Sequence, residues 1–150
     1  NLSVSAQARL VVENDDKASM YSVKDLYDGI FSEVKVPITF DFHHHRFQPG
    51  DLSEQEAFEL AMTTWQYHNV KPLFHYSSCR RTFEDPGCKA QAHADFIYEQ
   101  INDYGHAVDI EVEAKAKEVA VLKYKDDTDS LLESYLPFDV HIDNQLVLEV

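Results

Sequence analysis

Four short apolar runs, each closing on a residue that can ligate a metal, constrain the fold of this chain more than any other feature. Leu10 to Glu13 closes on Glu13, Ile38 to Phe42 carries Asp41, Lys71 to His75 closes on His75, and Val108 to Glu113 closes on Glu113. The residue before each is apolar: Val12, Phe40, Phe74 and Val112. Side chains alternate faces along a strand. Four apolar residues therefore share the face that meets helices, and four ligand-type residues share the other face at one level. Helical spacing separates the runs. Val23, Leu26, Tyr27 and Ile30 follow Ser22 and Asp25, and Ala57, Leu60, Ala61 and Trp65 follow the capping box of Ser53 and Glu56. Phe96, Ile97 and Ile101 mark a helix over 93–102, and a further helix is expected over 114–123.

Alternating β and α implies a parallel sheet with right-handed crossovers. A closed barrel of this kind needs eight strands and typically about 250 residues. The chain has 150 residues and half that number of β-α units. The expected fold class is α/β: the second half of a TIM (β/α)8 barrel, with four parallel β-α units over 1–125 and a C-terminal tail over 126–150. In the tail, Phe138 to Ile142 and Leu146 to Val150 flank Asp143-Asn144 as a candidate hairpin. The chain starts at Asn1 rather than Met, so a fragment or processed product is expected.

The formal net charge of −14 argues against a protein that coats itself in nucleic acid, although bound divalent cations would offset part of it. No apolar run is long enough to span a bilayer and no signal-peptide pattern is present. Cys79 and Cys88 are one pair, not a disulfide framework, and read as free thiols.

Active sites of α/β proteins lie at the carboxyl ends of the strands. At the second strand end, Asp41 is followed closely by His43, His44 and His45. Carboxylate with neutral imidazole is the ligand set of borderline divalent metals. The competing interpretation of that stretch is an exposed histidine loop. In a strict strand His43 and His45 would share Asp41's face, so convergence of His44 with Asp41 requires the chain to leave strand geometry after Phe42. One layer below lie Val11, Thr39, Leu73 and Glu111, with Asp109 deeper. Two buried carboxylates there would be costly unless paired or hydrated, and Glu111 has no evident partner.

Five ordered motifs within residues 9–123 resemble those of the UV-damage endonucleases, metal-dependent DNA repair enzymes built on a TIM barrel. They are Val12-Glu13-Asn14-Asp15-Asp16, Phe40-Asp41-Phe42-His43-His44, His75-Tyr76-Ser77-Ser78, His93-Ala94-Asp95-Phe96-Ile97 and Glu113-Ala114-Lys115-Ala116-Lys117-Glu118. The resemblance implies metal ligands at Glu13, Asp41, His44, His75, His93 and Glu113, with Glu13, Asp41 and Glu113 as the catalytic carboxylates. It selects His44 over His43 and His45. It implies hydrolysis of a DNA phosphodiester 5′ to a lesion, with divalent metal ions, manganese first. Asn14, Asp15 and Asp95 are candidates to orient the imidazoles. Lys17, Arg46, Lys115 and Lys117, with Arg80 and Arg81, are candidates for phosphate contacts.

The implied partners are damaged double-stranded DNA and the missing N-terminal half of the barrel, or a second chain in its place. No membrane is involved. The implied location is intracellular: cytoplasmic in a bacterium, nuclear in a eukaryote. Three departures from the family pattern stand out. Leu73 occupies a position where the family usually has a modified lysine, and the loop between His75 and His93 is long and carries both cysteines. The family's remaining histidines and lesion-probing residues belong to the first half of the barrel, so the isolated chain is expected to be incomplete. The alternatives are a related metal-dependent barrel enzyme of the abasic-site endonuclease or sugar isomerase type, and a non-catalytic metal-binding half-barrel.

Overall fold

In the computed structural model, which describes residues 3–135, short parallel strands alternate with helices. A single turn α1 (Val4–Gln7) precedes β1 (Val12–Glu13). Helix α2 (Val23–Leu26) widens into a π-turn (Tyr27–Phe31) and re-tightens as α3 (Ser32–Val34). β2 (Ile38–Thr39), α4 (Phe42–His45), α5 (Glu54–Thr64) and β3 (Leu73–Tyr76) follow, then α6 (Arg80–Phe83), β4 (Asp109–Val112) and α7 (Glu118–Tyr135). β1 pairs in parallel with β2, and β3 with β4, placing His75 opposite Glu111. A parallel bridge from Asp41 to His75 joins the two ladders, and the His75 N–H donates to the Phe40 carbonyl at 2.9 Å.

The apolar residues ahead of the strand ends face the helices as the alternation requires. Phe40 and Phe74 are fully buried, and Val12 and Val112 pack against the same core. Phe58 of α5 meets Phe74 edge-on at 5.0 Å, and Phe40 meets Phe42 at 4.7 Å. Each buried ring contributes about 1.5–3 kcal/mol by burial, and each such ring pair about 0.5–1.5 kcal/mol more. The end of α5 is tied to β2 by polar groups as well. The Ile38 N–H donates to Thr64 Oγ1 at 2.9 Å, and Trp65 Nε1 donates to the Ile38 carbonyl at 2.8 Å.

Both expected capping boxes form, Ser22 with Asp25 and Ser53 with Glu56. The turn before α5 packs against the first of them. Gly50 sits at φ +59°, and a Cβ there would lie 2.3 Å from Ser22 Oγ. Gly50→Ala therefore combines left-handed strain with overpacking of a buried cap. We expect a loss of about 2–4 kcal/mol in urea denaturation. Replacing Ser22 with glycine in the same variant should recover part of it.

Several elements differ from the expectation. β1 begins at Val12, and Leu10 and Val11 are exposed. β2 stops at Thr39 because Asp41 turns the chain into α4. The polar loop after β3 contains the short helix α6. The helix expected over 93–102 does not form. His93 bridges to Cys79, and the following amides are taken by side chains: Asp95 N–H by Glu84 Oε1, Tyr98 N–H by Ser78 Oγ, and Ile101 N–H by the Tyr124 hydroxyl. The last helix starts later than expected, at Glu118, because the Lys115 and Ala116 N–H groups donate to the carbonyls of Ala94 and Asp95. It runs through the expected boundary at residue 125, and the candidate hairpin lies outside the described residues. Asp109 and Glu111 are exposed rather than buried, and Asp109 pairs with Lys71 at 2.6 Å. Cys79 and Cys88 are unbridged thiols. Among the described residues, no helix is long and apolar enough to cross a membrane.

Candidate metal centre

Asp41 is the pivot of the strand ends. It is fully buried and caps α4, its Oδ1 accepting the His44 N–H at 2.7 Å. Asn14, itself 1% exposed, clamps the Asp41 backbone: the Asp41 N–H donates to Asn14 Oδ1 at 2.8 Å, and Asn14 Nδ2 donates to the Asp41 carbonyl at 3.0 Å. Oδ2 of Asp41 accepts no hydrogen bond. Burial pushes the Asp41 carboxyl up to about 6. The charges of Glu13 and Glu113 add to that, while the His44 N–H and imidazole oppose it.

Ligand atoms of Glu13, Asp41 and His75 lie within 4.8 Å of one another. Glu13 Oε1 is 3.2 Å from His75 Nδ1 and 3.3 Å from His44 Nδ1. Burial pushes the Glu13 carboxyl up, but the two imidazoles outweigh it and hold the carboxyl below its usual range. The same contact with Glu13 raises His75.

The turn into α4 after Asp41 brings His44 round to its own cap residue, so the chain leaves strand geometry one residue earlier than required. His44 Nδ1 donates to the Asn14 carbonyl at 2.8 Å. His93 Nδ1 donates to the Glu113 carbonyl at 3.2 Å, and Glu113 Oε1 is 3.6 Å from His75 Nδ1. All six residues singled out as ligands, Glu13, Asp41, His44, His75, His93 and Glu113, are thus linked in one cluster by these contacts. His43 and His45 are not an exposed loop: both are buried, His43 edge-on to His93 at 5.0 Å and His45 against Phe40. Burial pushes the His43 imidazole down to about 4.

A divalent cation fits this arrangement. Asp41, a buried carboxylate with one oxygen that lacks a donor, stands beside a second carboxylate and an imidazole, and cations are what such donor sets bind.

Some expected helpers point elsewhere. Asp15 accepts the Lys17 N–H in its own turn, and Asp95 pairs with Arg80 at 3.2 Å. Neither orients an imidazole, because each is claimed by a nearer donor. Asn14 acts on Asp41 through its side chain and on His44 through its carbonyl. Arg46 is held by Glu99 at 2.9 Å, and the Tyr76 hydroxyl donates to the same carboxylate. Lys17, Lys115 and Lys117 are exposed in turns after strand ends. Glu111 was legible only as a carboxylate without a partner. Its Oε2 lies 3.7 Å from His75 Nε2, a neighbour set by the β3–β4 register.

A family model described as UV-endonuclease UvdE matches residues 1–139. The chain is 35% identical over 127 residues to the UV-damage endonuclease of Schizosaccharomyces pombe, a match covering 81% of this chain and 20% of that protein. It is 32% identical over 123 residues to the UV DNA damage endonuclease of Bacillus mycoides, covering 77% of this chain and 36% of the relative. A crystal structure described as SacUVDE aligns with a TM-score of 0.65 at 32% identity, over 83% of this chain and 40% of that one. The chain therefore spans one fifth to two fifths of the length of these relatives.

Proposed function

Because this chain belongs to the UV-endonuclease UvdE family, we propose that it supplies the carboxyl-terminal half of a TIM-barrel enzyme that hydrolyses a DNA phosphodiester 5′ to a UV lesion. The observation that carries this reading is the junction of Glu13, Asp41 and His75 around a buried carboxylate oxygen that lacks a donor. The open inner face of the sheet supports the half-barrel. Val11 is 43% exposed, Leu73 38%, and the Glu111 side chain 60%, on the face that a closed barrel fills with layers of side chains. The N-terminal half, in the same polypeptide or in a second chain, would cover it.

Glu13, Asp41 and Glu113, with His44, His75 and His93, would hold the cations. Held there, a divalent ion would supply Lewis-acid chemistry, an activated water and charge neutralisation at the phosphate oxygens. Mixed oxygen and nitrogen donors favour manganese, zinc or iron over magnesium, and the family resemblance puts manganese first. His44 and His93 each commit Nδ1 to a backbone carbonyl, which leaves Nε2 bare in the neutral ring. Asn14 fixes the backbone of Asp41, so its carboxylate is aimed before any ligand arrives. Lys17, Lys115 and Lys117 stand at the rim as phosphate contacts. A DNA substrate places the protein in the cytoplasm of a bacterium or the nucleus of a eukaryote.

The test is nicking of supercoiled plasmid with Mn2+. The isolated chain should nick UV-irradiated plasmid weakly or not at all. The chain joined to the N-terminal portion of a UvdE relative should nick irradiated plasmid and spare unirradiated plasmid. Robust nicking by the isolated chain would overturn the half-site reading. A joined protein that cuts abasic and irradiated DNA alike would favour the abasic-site alternative.

A further inference from the structure

We infer that Glu111 is a positioning residue for His75: its carboxylate accepts the Nε2–H of the imidazole and so keeps Nδ1 turned toward Glu13, Asp41 and Glu113. The inference rests on the reading that His75 ligates a metal.

The two nitrogens of His75 face opposite ways. Nδ1 lies 3.2 Å from Glu13 Oε1 and 3.6 Å from Glu113 Oε1, inside the cluster. Nε2 lies 3.7 Å from Glu111 Oε2, outside it. The other two imidazoles also bring Nδ1 near the cluster, His44 at 3.3 Å from Glu13 Oε1 and His93 at 3.4 Å from Glu113 Oε2, but each has a main-chain acceptor there. His44 and His93 spend Nδ1 on backbone carbonyls, which a nitrogen close to the main chain can reach. The outward nitrogen of His75 is the distal one, so a side chain must serve it.

The register supplies that side chain. Glu111 is the β4 residue directly opposite His75, and residues opposite one another in a ladder project from the same face. Leu73, two residues before His75 on the same face, offers no acceptor, and Glu113 is already at Nδ1. A separation of 3.7 Å is an ionic contact, longer than a hydrogen bond. The exposed Glu111 side chain closes the remaining gap by rotation. A ligating imidazole whose second nitrogen is held this way has a fixed tautomer and orientation, and removing such a partner costs about 10- to 100-fold in metal affinity.

The test uses Zn2+, which is diamagnetic and shares the ligand set. Affinity is read by competition with a chromophoric chelator, and the His75 ring by 15N NMR. The wild-type chain should bind Zn2+ through Nδ1 of His75 with Nε2 protonated. Glu111→Leu should lower affinity about 10- to 100-fold with the melting temperature of the metal-free chain unchanged. Glu111→Gln, whose amide oxygen still accepts, should retain affinity to within about threefold, well inside that range. Equal affinity in Glu111→Leu, or Zn2+ on Nε2, would overturn the role of Glu111 while leaving the metal centre standing. Failure of the wild-type chain to bind Zn2+ would overturn both.

Discussion

Asp41→Asn is expected to abolish Mn2+ binding and, in the same chain, to stabilise the metal-free fold at pH 7–8 by about 3 kcal/mol at most. The two effects have one cause. Folding removes the Asp41 carboxylate from water and sets it beside Glu13 with one oxygen unserved, raising its pKa from 3.8 to about 6. A carboxyl whose folded pKa is raised binds more protons in the folded state between those values. Its contribution to stability therefore falls as pH rises through that window and stays low above it. Asparagine has the same shape, caps a helix about as well through Oδ1, and has no charge to desolvate. The pH profile offers a second check. The buried His43 imidazole titrates near 4 when folded, below its ordinary 6.5, so its effect is a loss of stability as pH falls through that window. In the wild-type chain the two slopes oppose each other. In Asp41→Asn the opposing Asp41 slope is gone, and stability should rise more steeply from pH 4 to 6.5 than in the wild-type chain. Urea denaturation at several pH values, with and without Mn2+, measures all of this. A variant less stable than the parent at pH 8 would refute the desolvation argument.

Asn14→Ala is expected to cost about 3–5 kcal/mol, more than an average core truncation of its size. Asn14 takes the place of a ladder partner where β1 ends: its amide satisfies both the N–H and the carbonyl of Asp41. Alanine would leave both groups buried and unpaired, at about 1–3 kcal/mol each. Asn14→Asp should not rescue it, because a carboxylate would then face the Asp41 carbonyl. Metal affinity should fall alongside stability, since the carboxylate of Asp41 is aimed by that backbone. An unchanged denaturation midpoint in Asn14→Ala would remove the clamp from the account.

The level at which ligand residues cluster was readable because strand alternation is local arithmetic. Val12, Phe40, Phe74 and Val112 turn one way, so Glu13, Asp41, His75 and Glu113 turn the other. The placement of His44 was readable only as a condition, because it depends on Asp41 ending one element and capping the next. The segment after His93 misled because Phe96, Ile97 and Ile101 have helical spacing, and Ile97 and Ile101 do pack inward. Its amides nevertheless belong to Glu84, Ser78 and Tyr124, distant side chains that no local pattern reveals. The ion pair of Arg46 was unreadable for a similar reason: its partner Glu99 comes from a later loop.

The central claim is that the strand ends form a divalent-metal centre. Anomalous diffraction from crystals of the chain soaked in Mn2+ tests it most directly. The account predicts a manganese peak within ligand distance of Glu13, Asp41 and His75 that disappears in Asp41→Asn. A saturating soak that places manganese elsewhere, or leaves no peak at that junction, would contradict it.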